Sequence, residues 1–83
     1  MPIVYEKQAV KTLAKMPVKT ALQIKEKIAA FASRSGRPNL DIETLKGIEG
    51  GYRLRQGDWR ALMIIDGTTL RVVAIKPRGD AYK

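Results

Sequence analysis

The chain contains no cysteine and no histidine. Without cysteine there can be no disulfide and no thiolate metal site. Without histidine the usual general base and the commonest metal ligand are missing. Zinc-hydrolase and histidine-based ribonuclease chemistry are therefore closed, and neither a metal nor another cofactor is expected. Long apolar runs are lacking too. Nowhere do about 18 apolar residues follow one another, and the opening MPIVYEKQ has neither the basic onset nor the apolar centre of a signal peptide. The expectation is a cytoplasmic protein with no membrane association. Acidic residues are scarce: 8 Asp+Glu stand against 16 Lys+Arg, a formal charge of +8. So basic a small domain implies a phosphate-rich or acidic partner, the bland alternative being lysines kept for solubility.

What the chain does contain is enough for one core. Its 83 residues, 45% hydrophobic, fit a single domain over 1–83 and leave no room for a second. PIVY at 2–5 is short and β-leaning. From Glu6 to Met16 the residues Ala9, Leu13 and Met16 recur at helical spacing, while Lys7, Lys11 and Lys15 stack on another face. That ladder is either a solvated surface or a track for phosphates. Pro17 suits the first turn of a second helix. Its buried stripe is Ala21, Ile24, Ile28 and Phe31, widened by Leu22, Ala29 and Ala32, and Ser35-Gly36 supplies the cap. RPNLDIETLKGIEGG at 37–51 reads as a loop anchored by Leu40, Ile42 and Leu45. Three strands follow, at 52–56, 59–66 and 68–76, the last two joined by Asp66-Gly67. In that register Ala61 faces Val72, Met63 faces Leu70 and Trp59 faces Ala74. These residues line the helix side with Tyr52 and Leu54, and the arginines, Leu62, Ile64, Val73 and Ile75 take the open side. The fold class is α+β: two layers in β-α-α-β-β-β order, a mainly antiparallel sheet with a helical hairpin on one face.

The densest signal is YRLRQGDWR at 52–60. Strand alternation puts Arg53 and Arg55 on one face. With Gly57-Asp58 as a two-residue turn, Gln56 pairs with Trp59, and Arg55 lies across from Arg60. Like charges directly opposed destabilise a hairpin. A fold that tolerates this meets an anion there.

The run LKGIEGGYRLRQGDWRALMIID, followed by LRVVAIKPRGDAY, resembles the RelE/ParE superfamily of type II toxin–antitoxin toxins, and in particular its RelE-like branch. The resemblance extends over nearly the whole chain. It implies a toxin that cuts messenger RNA in the ribosomal A site, a cognate antitoxin that neutralises it, and operator DNA reached only through the antitoxin complex. Carried over by residue, Arg53, Arg55 and Arg60 match basic positions of the central hairpin. Lys76 and Arg78 match basic positions of the terminal segment, and Tyr82 its tyrosine. Lys46, in the Leu-Lys-Gly lead-in, joins Arg53, Lys7 and Lys11 as an RNA-binding candidate. Pro77 and Gly79 depart from the pattern, since many relatives carry basic residues there, so the terminal cluster is thinner than usual. Two other readings stay open: a ParE-like inhibitor of DNA gyrase, and a non-catalytic relative held by its antitoxin.

RNA can be cut without metal when its own 2′-hydroxyl attacks the adjacent phosphorus. The reaction needs charge stabilisation, a proton acceptor and a proton donor. The guanidinium fork suits the first task, and Arg60 on a central strand is the best candidate. Arg55 stands beside it. Tyr82 is assigned as base or stacking platform, and Lys76 or Arg78 serves the leaving group. Arg71 is expected to meet a carboxylate or the antitoxin. The scheme requires guanidinium groups that lie together and are not each neutralised by an acid of the chain.

Overall fold

The computed structural model describes residues 1–33 and 40–79. The order is β1 (Ile3–Tyr5), α1 (Lys7–Lys15), α2 (Val18–Ser33), β2 (Ile42–Thr44), β3 (Gly51–Gln56), β4 (Trp59–Asp66) and β5 (Thr69–Pro77). One five-stranded sheet runs β1-β5-β4-β3-β2, so β4 is central; β1 lies parallel to β5 and the other pairings are antiparallel. This is the expected α+β fold with one strand added. β2 lies in the segment read as loop, and Ser35-Gly36 lies outside the described residues.

The helices form where apolar spacing and a proline break dictate. Ala9, Leu13 and Met16 are buried from the first helix, and Ile24, Ile28 and Ala32 from the second. Met16, preceding Pro17, is extended at φ −95° and ψ 165°, as a residue before proline tends to be, and this separates α1 from α2. Leu22 and Ala29, expected to widen the buried stripe, face solvent instead. The core closes between these helices and Leu54, Ala61, Met63, Leu70, Val72 and Ile75. Burying side chains of this size contributes roughly 1.5–3 kcal/mol each.

The first hairpin has the expected register, with Gln56 opposite Trp59 and Arg55 opposite Arg60. The second does not. Asp66 pairs with Thr69, so the loop is Gly67-Thr68 rather than Asp66-Gly67. The reason is backbone handedness: the first loop residue takes a positive φ, 58° at Gly57 and 62° at Gly67, which glycine adopts without strain. Met63 consequently faces Val72. Between Met63 and Leu62 the register shifts by one residue, leaving Leu62 opposite Ala74, Ala61 opposite Ile75 and Trp59 opposite Pro77. This bulge reverses the alternation of β5. Ile75, expected on the open face, is fully buried in the helix-side core, and Ala74 pairs with Leu62 on the face of the arginines.

Candidate phosphate site at the end of the central hairpin

The same bulge brings Lys76 opposite Arg60. Unbroken alternation would have placed it with Val72 and Ala74 on the helix side. Arg55, Arg60 and Lys76 therefore share one face at one end of the sheet. Arg78 joins them from beyond β5, its N–H donating to the Asp58 carbonyl at 2.7 Å, which ties the outgoing chain to the hairpin loop. Arg55, Gly57, Arg60 and Arg78 line an open depression of ≈ 600 Å³.

Arg60 has the most unusual environment of the group. It is 4% exposed, the one charged residue that is buried among those described. Its Nη1 donates to the carbonyls of Gly57 and Trp59, each at 2.9 Å. Its Nε is buried and has no hydrogen-bond partner. No carboxylate among the described residues pairs with it. An orphaned buried donor typically costs about 1–3 kcal/mol. An anion settling in the depression lies beside this guanidinium and offsets its charge. Gly57 takes a positive φ in the loop and offers its carbonyl to the arginine.

The other hairpin arginines differ. Arg53 pairs with Glu43, its Nε 3.1 Å from Oε1, and Arg55 pairs with Asp41 at 2.5 Å. The requirement that no internal acid neutralise them fails for these two. β2 is responsible: Glu43 lies opposite Arg53 in the β2–β3 ladder, and the Arg55 N–H donates to the Asp41 carbonyl at 2.9 Å. The Arg55–Asp41 pair is well solvated on both sides, so its net worth is about 0–1 kcal/mol. The sequence signal was present but unread: Asp41 and Glu43 are spaced two apart, as are Arg53 and Arg55. Arg71, expected to meet a carboxylate, donates Nε to Glu6 Oε2 at 2.7 Å, with Asp66 3.9 Å from its Nη1.

The remaining candidates do not all converge. Lys46 occupies the turn before β3, at the opposite end of that strand from the Gly57-Asp58 loop, about 17 Å along it. Lys7, Lys11 and Lys15 are exposed on α1, and Lys15 lines a depression near the hairpin end. Tyr82 lies outside the described residues. Gln8, which the sequence reading passed over, fixes α1 to this end of the sheet. Its Oε1 accepts from the Ile75 N–H at 3.0 Å, and its Nε2 donates to the Ile75 carbonyl at 3.5 Å. β1 pairs only as far as Val72, so the carboxamide stands in for a neighbouring strand beyond that point.

A small, mainly antiparallel-sheet domain with a cationic depression at one hairpin end defines the class: a compact basic α+β module. Comparison with known proteins narrows it. The family model for the ParE toxin of the type II toxin–antitoxin system parDE matches residues 3–82. Among solved structures, the RelE–RelB antitoxin–toxin complex from Methanococcus jannaschii contains a similar chain, at 29% identity and TM-score 0.78, over 95% of this chain and 94% of that one. The RelE–RelB complex from Pyrococcus horikoshii OT3 gives 25% identity and TM-score 0.76, over 95% and 96%. The isolated Escherichia coli RelE toxin shares the fold at 15% identity and TM-score 0.75, over 98% and 89%. No curated protein sequence matches the chain. The chain belongs to the ParE toxin family, within the RelE/ParE superfamily of type II toxin–antitoxin toxins. No helix among the described residues is long and apolar enough to cross a membrane.

Proposed function

We propose that this toxin is a ribosome-dependent messenger-RNA endonuclease that inhibits translation without a metal ion and is held inactive in the cytoplasm by a cognate antitoxin. The observation that carries the reading is the buried Arg60, which no carboxylate among the described residues pairs with and which lines the depression together with Arg55 and Arg78. In the proposed reaction the 2′-hydroxyl oxygen bonds to phosphorus and the P–O5′ bond breaks. The products are a 2′,3′-cyclic phosphate and a 5′-hydroxyl. Arg60 holds the non-bridging oxygens as charge builds on them, and Arg78 assists from the rim. Lys76, across the ladder from Arg60, delivers a proton to the departing 5′-oxygen. The 2′-hydroxyl proton passes to Tyr82 or to solvent. A site without histidine gains most from a substrate already held in reactive geometry, and such positioning contributes ~7–11 kcal/mol. The ribosome is proposed to supply it. The RelE–RelB complexes at 29% and 25% identity support an antitoxin partner of this chain, with operator DNA reached through that complex.

Mapping 5′ ends of cellular messages after induced expression tests the reading. Cleavage of ribosome-bound message bearing 5′-hydroxyl ends is expected, with little cutting of free RNA, and both cleavage and growth inhibition vanish in Arg60→Ala. Equal cleavage of naked RNA would contradict the mechanism. The ParE family match favours one alternative, inhibition of DNA gyrase. Under it, purified gyrase loses supercoiling activity and messages stay intact.

A further inference from the structure

Behind the phosphate depression, on the helix side of the same sheet end, lies a second groove of ≈ 430 Å³ that the reading above leaves unused. Its volume falls within the ~300–1,000 Å³ of small-ligand sites. One wall is α1, from which Gln8, Thr12 and Lys15 project at i, i+4 and i+7, a single face. The other wall is the ends of β4 and β5, with Trp59, Lys76 and Pro77. Gln8 is committed to the Ile75 backbone, so the helix is fixed over the strands and the groove is pre-formed. The lining holds one indole, one proline ring, two ammonium groups and a threonine hydroxyl, and none of its residues is acidic. An aromatic plate between two cations suits a nucleobase with its phosphate. An acidic peptide would have no use for the indole, and an apolar helix none for the two lysines.

The two depressions are joined through the chain. Trp59 and Arg60 are consecutive and point to opposite faces of β4, and Lys76, opposite Arg60 in the ladder, lines the Trp59 groove. We propose that the Trp59 groove is a nucleotide subsite for single-stranded RNA. A base stacks on Trp59 and its phosphate lies at Lys15, flanking the phosphate held at Arg60. This rests on reading the Arg60 depression as a phosphate site. It adds to that reading a residue, Trp59, that selects for nucleotides over bare polyanions.

Trp59 is the single tryptophan of the chain, so its emission reports directly on the groove. The intact protein is titrated with a short ribo-oligonucleotide made uncleavable by 2′-O-methyl groups, with inorganic polyphosphate of equal charge, and with poly-glutamate. Saturable quenching by the oligonucleotide alone is expected. Followed by anisotropy of a labelled oligonucleotide, Trp59→Phe keeps affinity, and Trp59→Leu weakens it about tenfold, within the range of base–aromatic stacking. Lys15→Glu, an exposed change, weakens it and lowers the salt slope by about 0.7. Quenching by polyphosphate or poly-glutamate equal to that by the oligonucleotide overturns the subsite. So does tight oligonucleotide binding with unmoved emission. Ribosome-bound message is assayed in parallel. Cleavage with a silent Trp59 removes the subsite alone, whereas quenching without cleavage keeps the subsite and removes the endonuclease reading.

Discussion

Replacing Arg60 by methionine separates function from stability more sharply than any other change. In the folded protein this guanidinium is 4% exposed, bonded to two backbone carbonyls and left with an orphaned Nε. Methionine has similar volume and no charge. It forfeits two charge-assisted bonds, each worth about 1.5–3 kcal/mol. It also relieves an unpaired buried charge, whose effective desolvation penalty is several kcal/mol, and the ~1–3 kcal/mol of the orphaned donor. These contributions oppose each other and are of like size, so the net change in stability is small. One kcal/mol shifts the melting temperature of a domain this small by about 4–8 °C, so Arg60→Met should melt within roughly that margin of the parent. Catalysis has no such offset. Losing one preorganised donor to a developing oxyanion costs ~2.7–4 kcal/mol, or about 10²–10³ in rate. The assay is cleavage of ribosome-bound message in parallel with thermal melting of the same preparation. A large fall in melting temperature with normal cleavage per folded molecule would make Arg60 a structural residue and refute the argument.

Three further outcomes follow from the geometry. Removing the acid just before β2 with Asp41→Asn releases Arg55 from its carboxylate. Affinity for single-stranded RNA at low salt should rise and the salt slope should steepen by about 0.7, with stability changed by less than ~1 kcal/mol; an unchanged slope on titration at several salt concentrations counts against any role for Arg55 in binding. Gly50→Ala should lower stability at the upper end of the usual ~0.5–3 kcal/mol range. Gly50 has φ 72°, and an added Cβ would meet the Ile65 carbonyl oxygen at 2.8 Å, so a denaturant midpoint equal to the parent's would contradict it. Burial raises the pKa of Tyr5 above its ordinary 10.0. Above pH 10 the unfolded chain loses that proton before the folded one does, so stability is full below pH 10 and declines as pH rises beyond it; Tyr5→Phe should flatten this decline in urea titrations.

Much of the fold was legible because local chemistry and global topology agree. Gly57-Asp58 permits only one short hairpin register, and that register set Arg55 against Arg60 as the structure has it. The helices were legible where apolar spacing was regular. Three features were not legible, for different reasons. β2 is three residues long, too short for alternation to register, and only its charge match to Arg53 and Arg55 betrays it. The loop at Gly67-Thr68 was misplaced because Asp-Gly is a strong turn dipeptide, while the positive φ belongs to the first loop position. The bulge in β5 left no trace, since LRVVAIK is apolar on both phases and alternation cannot say where one residue is skipped. That skipped residue decides which face Lys76 joins.

The unequal treatment of the cations at the hairpin end bears on how such a site works. Arg55 and Asp41 are 60% and 49% exposed, so their pairing is loose and a phosphate can replace the carboxylate at little cost. Arg60 has already lost its water, and the hydrophobic core beneath the hairpin sustains that loss during folding. A guanidinium desolvated in advance and fixed by two carbonyls needs no reorganisation when a phosphate arrives, which is the condition under which electrostatic stabilisation is largest. A guanidinium tethered to an exposed carboxylate must first let go, and it contributes to capture more than to the transition state. On this argument Arg55→Ala weakens binding of ribosome-bound message with modest loss of turnover, and Arg60→Met does the reverse. Single-turnover kinetics at saturating and limiting ribosome concentration distinguish the two, and equal effects of both substitutions on both parameters would show that burial sets no hierarchy among them.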